Sequence, residues 1–193
     1  MTQTPKTEPL TRSQLLVAMA ATALVLMAIA KGWSYLLSVQ IVPLRWQVDH
    51  FAIGIGLGVG VALLSTLVYE YWEAYREAAK EYLEMVLKPL NLVDLIWLGL
   101  LPGMSEELLF RGVAIPGLGM NMVALLVSSV VFGALHMASI KHIPYTIWAT
   151  VIGLLLGSVT LATGNLLPAI VAHVFTNSLS GLLWKLKHPQ LSS

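Results

Sequence analysis

The chain has 193 residues, 57% of them hydrophobic and only 11% charged, against about 25% charged in an average soluble domain, and its mean hydropathy is +0.78. A surface wetted on all sides is excluded, so the chain is read as an integral membrane protein in contact with the lipid bilayer. A net charge of +1 with scattered Lys and Arg rules out the basic patch that nucleic acid needs, and the absence of cysteine removes disulfides, thiolate nucleophiles and cysteine-ligated zinc.

In chain order, residues 1–14 read as a polar tail, and the first apolar run, Leu15 to Val42, lacks a small-residue cleavage pattern and is read as retained rather than as a signal peptide. The second span is expected from Phe51 to Tyr69. Residues 70–88 are rich in Glu, Lys, Ala and Tyr without Pro or Gly, and read as a solvated helix extending past the membrane. A third span, Leu92 to Pro116, carries a Pro102-Gly103 break, and Met122 to Ile140, Ile143 to Thr163 and Leu166 to Trp184 complete the set. The expected fold class is therefore all-α, a polytopic transmembrane helix bundle of about six spans with one charged helix extending from the membrane. Residues 15–91 form an accessory region and 92–193 a core of about four helices.

Cytoplasmic loops carry the excess of Lys and Arg. With the N-terminus inside, Lys6, Arg12, Arg76, Lys80, Lys88, Lys141, Lys185 and Lys187 are cytoplasmic and Arg45 is outside, which puts both termini inside a bacterial-type inner or internal membrane. Overlapping GxxxG spacings at Gly54, Gly56, Gly58 and Gly60, and again at Gly153 and Gly157, are assigned to close helix packing.

Ionisable groups within apolar spans are the candidates for function. Glu107 and Arg111 are four apart with the acid N-terminal, the arrangement that favours an ion pair on one helix face. Glu106 is offset by about 100° and has no local cation, and a buried unpaired carboxylate needs a partner or a proton. Phe132 and His136 share one face of the fourth span, and His173 and Asn177 one face of the sixth. Ser105 is read as the cap of a helix restarting after Pro102-Gly103. Asp94 is read as interfacial, and His50, His142 and His188 as solvated.

Taken together, Glu-Glu-x-x-x-Arg at 106–111, Phe-x-x-x-His at 132–136 and His-x-x-x-Asn at 173–177 lie in that order on successive membrane segments. This pattern resembles the CAAX protease and bacteriocin-processing (CPBP, or Abi) family of intramembrane endopeptidases, which includes the Ras-converting CAAX prenyl protease, over Leu92 to Trp184. The resemblance implies that Glu106, assisted by His136, activates water, and that His173 and Asn177 bind the oxyanion formed at the peptide carbonyl. Glu107, Arg111 and Phe132 are supporting residues. The implied substrate is a peptide or membrane protein, and a short cysteine-free chain gives no reason to assume a prenylated one.

A metal-free mechanism with no required cofactor is the reading adopted here. A zinc site of Glu106, His136 and His173 is its alternative, although the HExxH spacing of helix-borne zinc proteases is absent. A different class of protein is the rival: a non-proteolytic immunity or assembly factor on the same scaffold, or a small transporter with a Glu and His proton relay. Oligomeric state is not legible. At about 1.5 Å per residue, His136 lies some 7 Å from Lys141, whereas Glu106 lies some 21 Å from Leu92, so straight helices would keep the two apart. A kink at Pro102 and a water-filled cavity open to the cytoplasm are expected to bring them together.

Overall fold

The computed structural model describes residues 10–188, so residues 1–9 of the expected polar tail, Lys6 among them, lie outside the described residues. All regular structure among the described residues is helical. α1 (Arg12–Leu36) begins three residues earlier than its apolar run because Thr11 and Gln14 form a capping box: the Thr11 hydroxyl accepts from the Gln14 amide at 3.3 Å, and the Gln14 side chain accepts from the Thr11 amide at 2.9 Å. α2 (Val48–Tyr71) follows, then α3 (Glu73–Leu87), α4 (Leu95–Glu107), α5 (Met122–Ala134), α6 (Ile143–Thr163) and α7 (Leu167–Lys187).

α1, α2, α6 and α7 are long and apolar enough to cross a membrane, and α3 with the helical stretch Leu92–Gly117, bent by 109° between them, makes a fifth candidate. The expected count of about six is close. It is α5 that falls short, since its 13 residues reach only about 20 Å. Its C-terminus lies at Ala134, well before the expected end at Ile140.

The expected break at Pro102-Gly103 does not occur. α4 runs through Pro102 and continues as a π-helical segment, Leu108–Ala114, and a last turn, Ile115–Gly117. A proline inside a helix costs about 3 kcal/mol, and packing on α7 offsets it. Gly99 and Gly103 let the two backbones approach so closely that a methyl at Gly103 would lie 2.7 Å from Val174 Cγ2, and Ser178 Oγ donates to the Leu95 carbonyl at 2.9 Å. Ser105 accordingly caps no helix: its hydroxyl donates to the Leu101 carbonyl one turn back, at 2.8 Å.

α7 is the central helix, packed against α2, α4 and α6. Gly54 and Gly58 of α2 face it, whereas Gly56 and Gly60 face open space, so one of the two overlapping GxxxG spacings is used for packing. A methyl at Gly58 would lie 2.6 Å from Phe175 Cβ and 2.7 Å from the Ala172 carbonyl oxygen. Gly58→Ala is expected to destabilise the protein by about 1–3 kcal/mol. Gly56→Ala, which meets nothing within 4 Å, gains up to about 1 kcal/mol from helix propensity. Thermal unfolding in detergent separates the pair, and equal melting temperatures would speak against this α2/α7 seam.

One end of the bundle gathers the charges. Arg12 at the start of α1 makes a bidentate pair with Asp94, Nε to Oδ2 at 2.6 Å and Nη2 to Oδ1 at 2.7 Å, and the buried Asp94 also accepts from the Asn91 amide at 2.7 Å. Asp94 therefore ties α1 to the entry of α4. Lys187 at the end of α7 bonds Glu70 at the end of α2, at 2.8 Å. Lys31 and Arg45 lie toward the opposite end, where Asn165 clasps the Arg45 backbone in both directions, accepting from its amide at 2.9 Å and donating to its carbonyl at 2.7 Å.

α3 differs from the solvated helix expected. Tyr75, Ala78, Ala79 and Leu87 form a buried face against the bundle, and only the opposite face is charged. The three histidines expected to be solvated are also engaged. His142 is buried with Nδ1 at 2.9 Å from Ser139 Oγ, His50 lies 2.8 Å from Asn165 Nδ2, and His188 stacks on Trp184 with centroids 4.6 Å apart.

Candidate active site

Glu106, His136, His173 and Asn177, drawn from three separate stretches of sequence, line one cavity of about 450 Å³. The wall is mainly apolar, and α1, α2, α3 and α6 contribute Met19, Thr66, Tyr82 and Tyr145 to it. Such a cavity has the size and polarity of a small-molecule or peptide site.

Glu106 sits in the last turn of α4, immediately before the π-helical segment. Single π turns inside α-helices recur at functional sites. Its Oε2 is buried and accepts no hydrogen bond among the described residues. Buried polar atoms are normally satisfied, so this carboxylate is an exception, and its residue lines the cavity. From α3, Tyr82 contributes its phenol ring to the same lining.

Glu107 is fully buried and does more than pair with Arg111. Its Oε1 accepts from Arg111 Nη1 at 2.8 Å and from His173 Nδ1 at 2.7 Å, joining α4 to α7. Arg111 in turn donates through Nη2 to the Gly153 carbonyl of α6 at 3.1 Å, and its guanidinium lies 4.4 Å from the centre of the Phe132 ring. Phe132 is the hub of this arrangement, since its ring also meets the His173 ring edge-on at 6.1 Å and 82°.

His136 lies in the turn after α5 rather than on a fourth span, and it lines the same cavity as Glu106. α5 stops early, and the turn carries the imidazole into the cavity. Its Nδ1 is 2.8 Å from the Phe132 carbonyl oxygen, one of the carbonyls that a helix C-terminus leaves unpaired. A carbonyl only accepts, so Nδ1 carries the hydrogen, and in the neutral ring Nε2 keeps the lone pair. The same logic applies to His173: Nδ1–H is donated to the Glu107 carboxylate, which leaves Nε2 as the nitrogen free for the cavity. Asn177, one turn further along α7, is half-buried on the cavity wall.

The zinc alternative can be set against these contacts. No group of three or more His, Asp or Glu side chains among the described residues is gathered as a metal site, while the Nδ1–H bond of His173 to Glu107 leaves Nε2 as the ring nitrogen a metal would take.

Residues 88–179 match the family described as type II CAAX prenyl endopeptidase, Rce1-like. The match covers a little less than half of the chain. It contains Glu106, Glu107, Arg111, Phe132, His136, His173 and Asn177, and it agrees with the span over which the residue pattern resembles CPBP proteins. The chain carries several helices long and apolar enough to cross a membrane, and the matched stretch is similar to the CAAX-type proteases. It is also 26% identical over 179 residues to the uncharacterized protein YpbD of Bacillus subtilis (strain 168), covering 91% of this chain and 88% of YpbD. No solved structure matches.

Two features escaped the sequence reading. The Glu107 to His173 bond crosses 66 residues and has no local signal. The tyrosines of α3 did have one: Tyr75, Ala78, Ala79, Tyr82 and Leu87 fall on one helical face, a periodicity outweighed by the charges between them.

Proposed function

We propose that the protein is an intramembrane endopeptidase in which Glu106 and His136 activate water and His173 with Asn177 stabilises the oxyanion. The observation that carries this reading is the cavity lined by all four side chains. Water donates one hydrogen toward Glu106 and the other toward His136 Nε2, and its oxygen attacks the peptide carbonyl carbon. The proton taken by the carboxylate is returned to the departing amine as the tetrahedral intermediate collapses, which leaves a carboxylic acid and an amine.

The oxyanion is held by Asn177 Nδ2 and His173 Nε2. Donation from Nε2 requires the doubly protonated ring, and the Glu107 carboxylate at Nδ1 is the counter-charge of that form. Every step uses side chains alone, so the reaction proposed needs no metal. The charge-rich end of the bundle faces the cytoplasm, with both chain ends on that side, because Arg12, Lys88 and Lys187 collect there. The cavity reaches the same end, where Lys187 forms part of its lining. The substrate is a peptide or membrane protein.

The test is cleavage of a quenched-fluorescent peptide library by purified protein in detergent. Activity that survives chelators and disappears in a folded Glu106→Gln variant is expected. Activity lost on chelation and restored by zinc would replace the metal-free mechanism. Retention of the biological role by folded Glu106→Gln protein would assign a non-proteolytic one. Asn177→Ala is expected to lower kcat by about 10²–10³-fold with little change in KM, the signature of a donor used mainly in the transition state. An equal rise in KM at constant kcat would place Asn177 in substrate binding instead.

A further inference from the structure

Aromatic rings line the cavity that Glu106 also lines, and those of α3 come from outside the family-matched stretch. Their surroundings separate two roles. Tyr75 is 5% exposed and enclosed by rings on three sides: stacked on Trp72 at 6.0 Å and on Tyr145 at 6.0 Å, and edge-on to Trp148 at 6.2 Å. Packing accounts for it fully, and it anchors α3 on α6. Trp148 completes the anchor by donating through Nε1 to Ser65 of α2 at 3.0 Å.

Tyr82, about two turns further along the same face, is half-buried and meets one ring among the described residues, that of Tyr145, at 5.1 Å. Tyr145 continues the series to His136, with ring centroids 6.2 Å apart. The rings of Tyr82, Tyr145 and His136 therefore follow one another along the cavity lining, with Leu83 and Val86 beside them on α3. Glu106 lines the same cavity as these rings. Anything seated between the wall and Glu106 touches phenol edges and aliphatic carbon.

We propose that Tyr82 and Tyr145 form the substrate-selecting wall of the cavity, in contact with the side chain next to the scissile bond, and that Tyr75 is the positioning residue that sets α3. This inference rests on the protease reading above. The class it selects is an uncharged, apolar polypeptide segment. An acidic side chain would be repelled by Glu106, and a basic one would pair with that carboxylate and occupy the base. Because Tyr82 lies outside the matched stretch, the preference belongs to this chain rather than to the family as a whole.

Two measurements on the full-length protein in detergent micelles test the wall. In the first, Glu106→Gln protein is irradiated with an uncharged peptide of alternating alanine and photo-leucine, and the labelled residues are read by mass spectrometry. Labelling of Tyr82 or Tyr145 is expected, and labelling confined to helices other than α3 and α6 overturns the proposal whether or not the protein is a protease. In the second, the wild type, Tyr82→Ala and Tyr82→Phe are compared on a degenerate peptide library. Tyr82→Ala is expected to raise the kcat/KM ratio of tryptophan-containing over alanine-containing peptides at least tenfold, while Tyr82→Phe keeps the native ratio. Tyr82→Leu serves the same comparison if the alanine variant does not fold. An unchanged ratio, with turnover still abolished by Glu106→Gln, overturns the wall and leaves the protease reading standing. Turnover indifferent to Glu106→Gln overturns the protease reading itself and, with it, the wall as a selector of substrate.

Discussion

Glu106→Gln is expected to reduce peptide-bond cleavage by about 10²–10⁴-fold while the helical content and melting temperature stay close to wild type. The substitution keeps the shape and removes the base. Glu106 Oε2, like Glu107 Oε2, accepts no hydrogen bond among the described residues, but Glu107 Oε1 is tied to Arg111 and His173, so less stability depends on the charge of Glu106. A carboxamide in the same place costs nothing in packing and cannot take a proton from water. The measurement is single-turnover cleavage beside thermal unfolding of the same preparation. A variant that loses activity and stability together would mean that Glu106 is a structural residue, and one that keeps its activity would remove the catalytic assignment.

Arg111→Met is expected to behave in the opposite way, with stability falling first. Arg111 and Glu107 are 1% and 0% exposed, and the pair is tied to α6 through Gly153 and to α7 through His173. Removing one member of a buried pair leaves an uncompensated charge, at a cost of about 3–5 kcal/mol. For a chain of this size, that corresponds to a fall in Tm of roughly 10 °C. Glu107→Gln is expected to show a similar fall with a further loss of kcat, because His173 then loses the acceptor that holds its ring. In the double variant Glu107→Gln, Arg111→Met the isolated charge is gone and most of the stability returns, while the kcat defect remains. Single variants within about 1 kcal/mol of wild type would show that the pair is not the brace described here.

Much of the fold was legible because lipid imposes a strong rule: a spanning segment must satisfy its own backbone and present apolar side chains for roughly 20 residues. α6 lies at Ile143–Thr163, as read from the sequence, and α1, α2 and α7 lie within a few residues of the expected spans at most of their ends. The failures are at Pro102 and at His136. A proline inside an apolar run reads as a break from local chemistry, but Gly99 and Gly103 pack α4 so closely on α7 that the helix stays continuous. The early stop of α5 could not be read from hydropathy, since the residues from 135 to 140 are nearly as apolar as those before them.

What the sequence by itself determined was residence in a membrane, an all-helical bundle, and the short set of side chains costly enough in lipid to require a use. Their order and spacing also pointed to the protease family whose model residues 88–179 match. The division of labour between two adjacent glutamates was a tertiary decision. Helical geometry separates Glu106 and Glu107 by about 100°, and only the packed bundle puts Arg111 and His173 on one side of that angle and a cavity on the other. The contacts of α3 were decided in the same way. Its charges are local and visible in the sequence, whereas the aromatic face that lines the cavity acquires a meaning only when α6 supplies Tyr145 to stack against it.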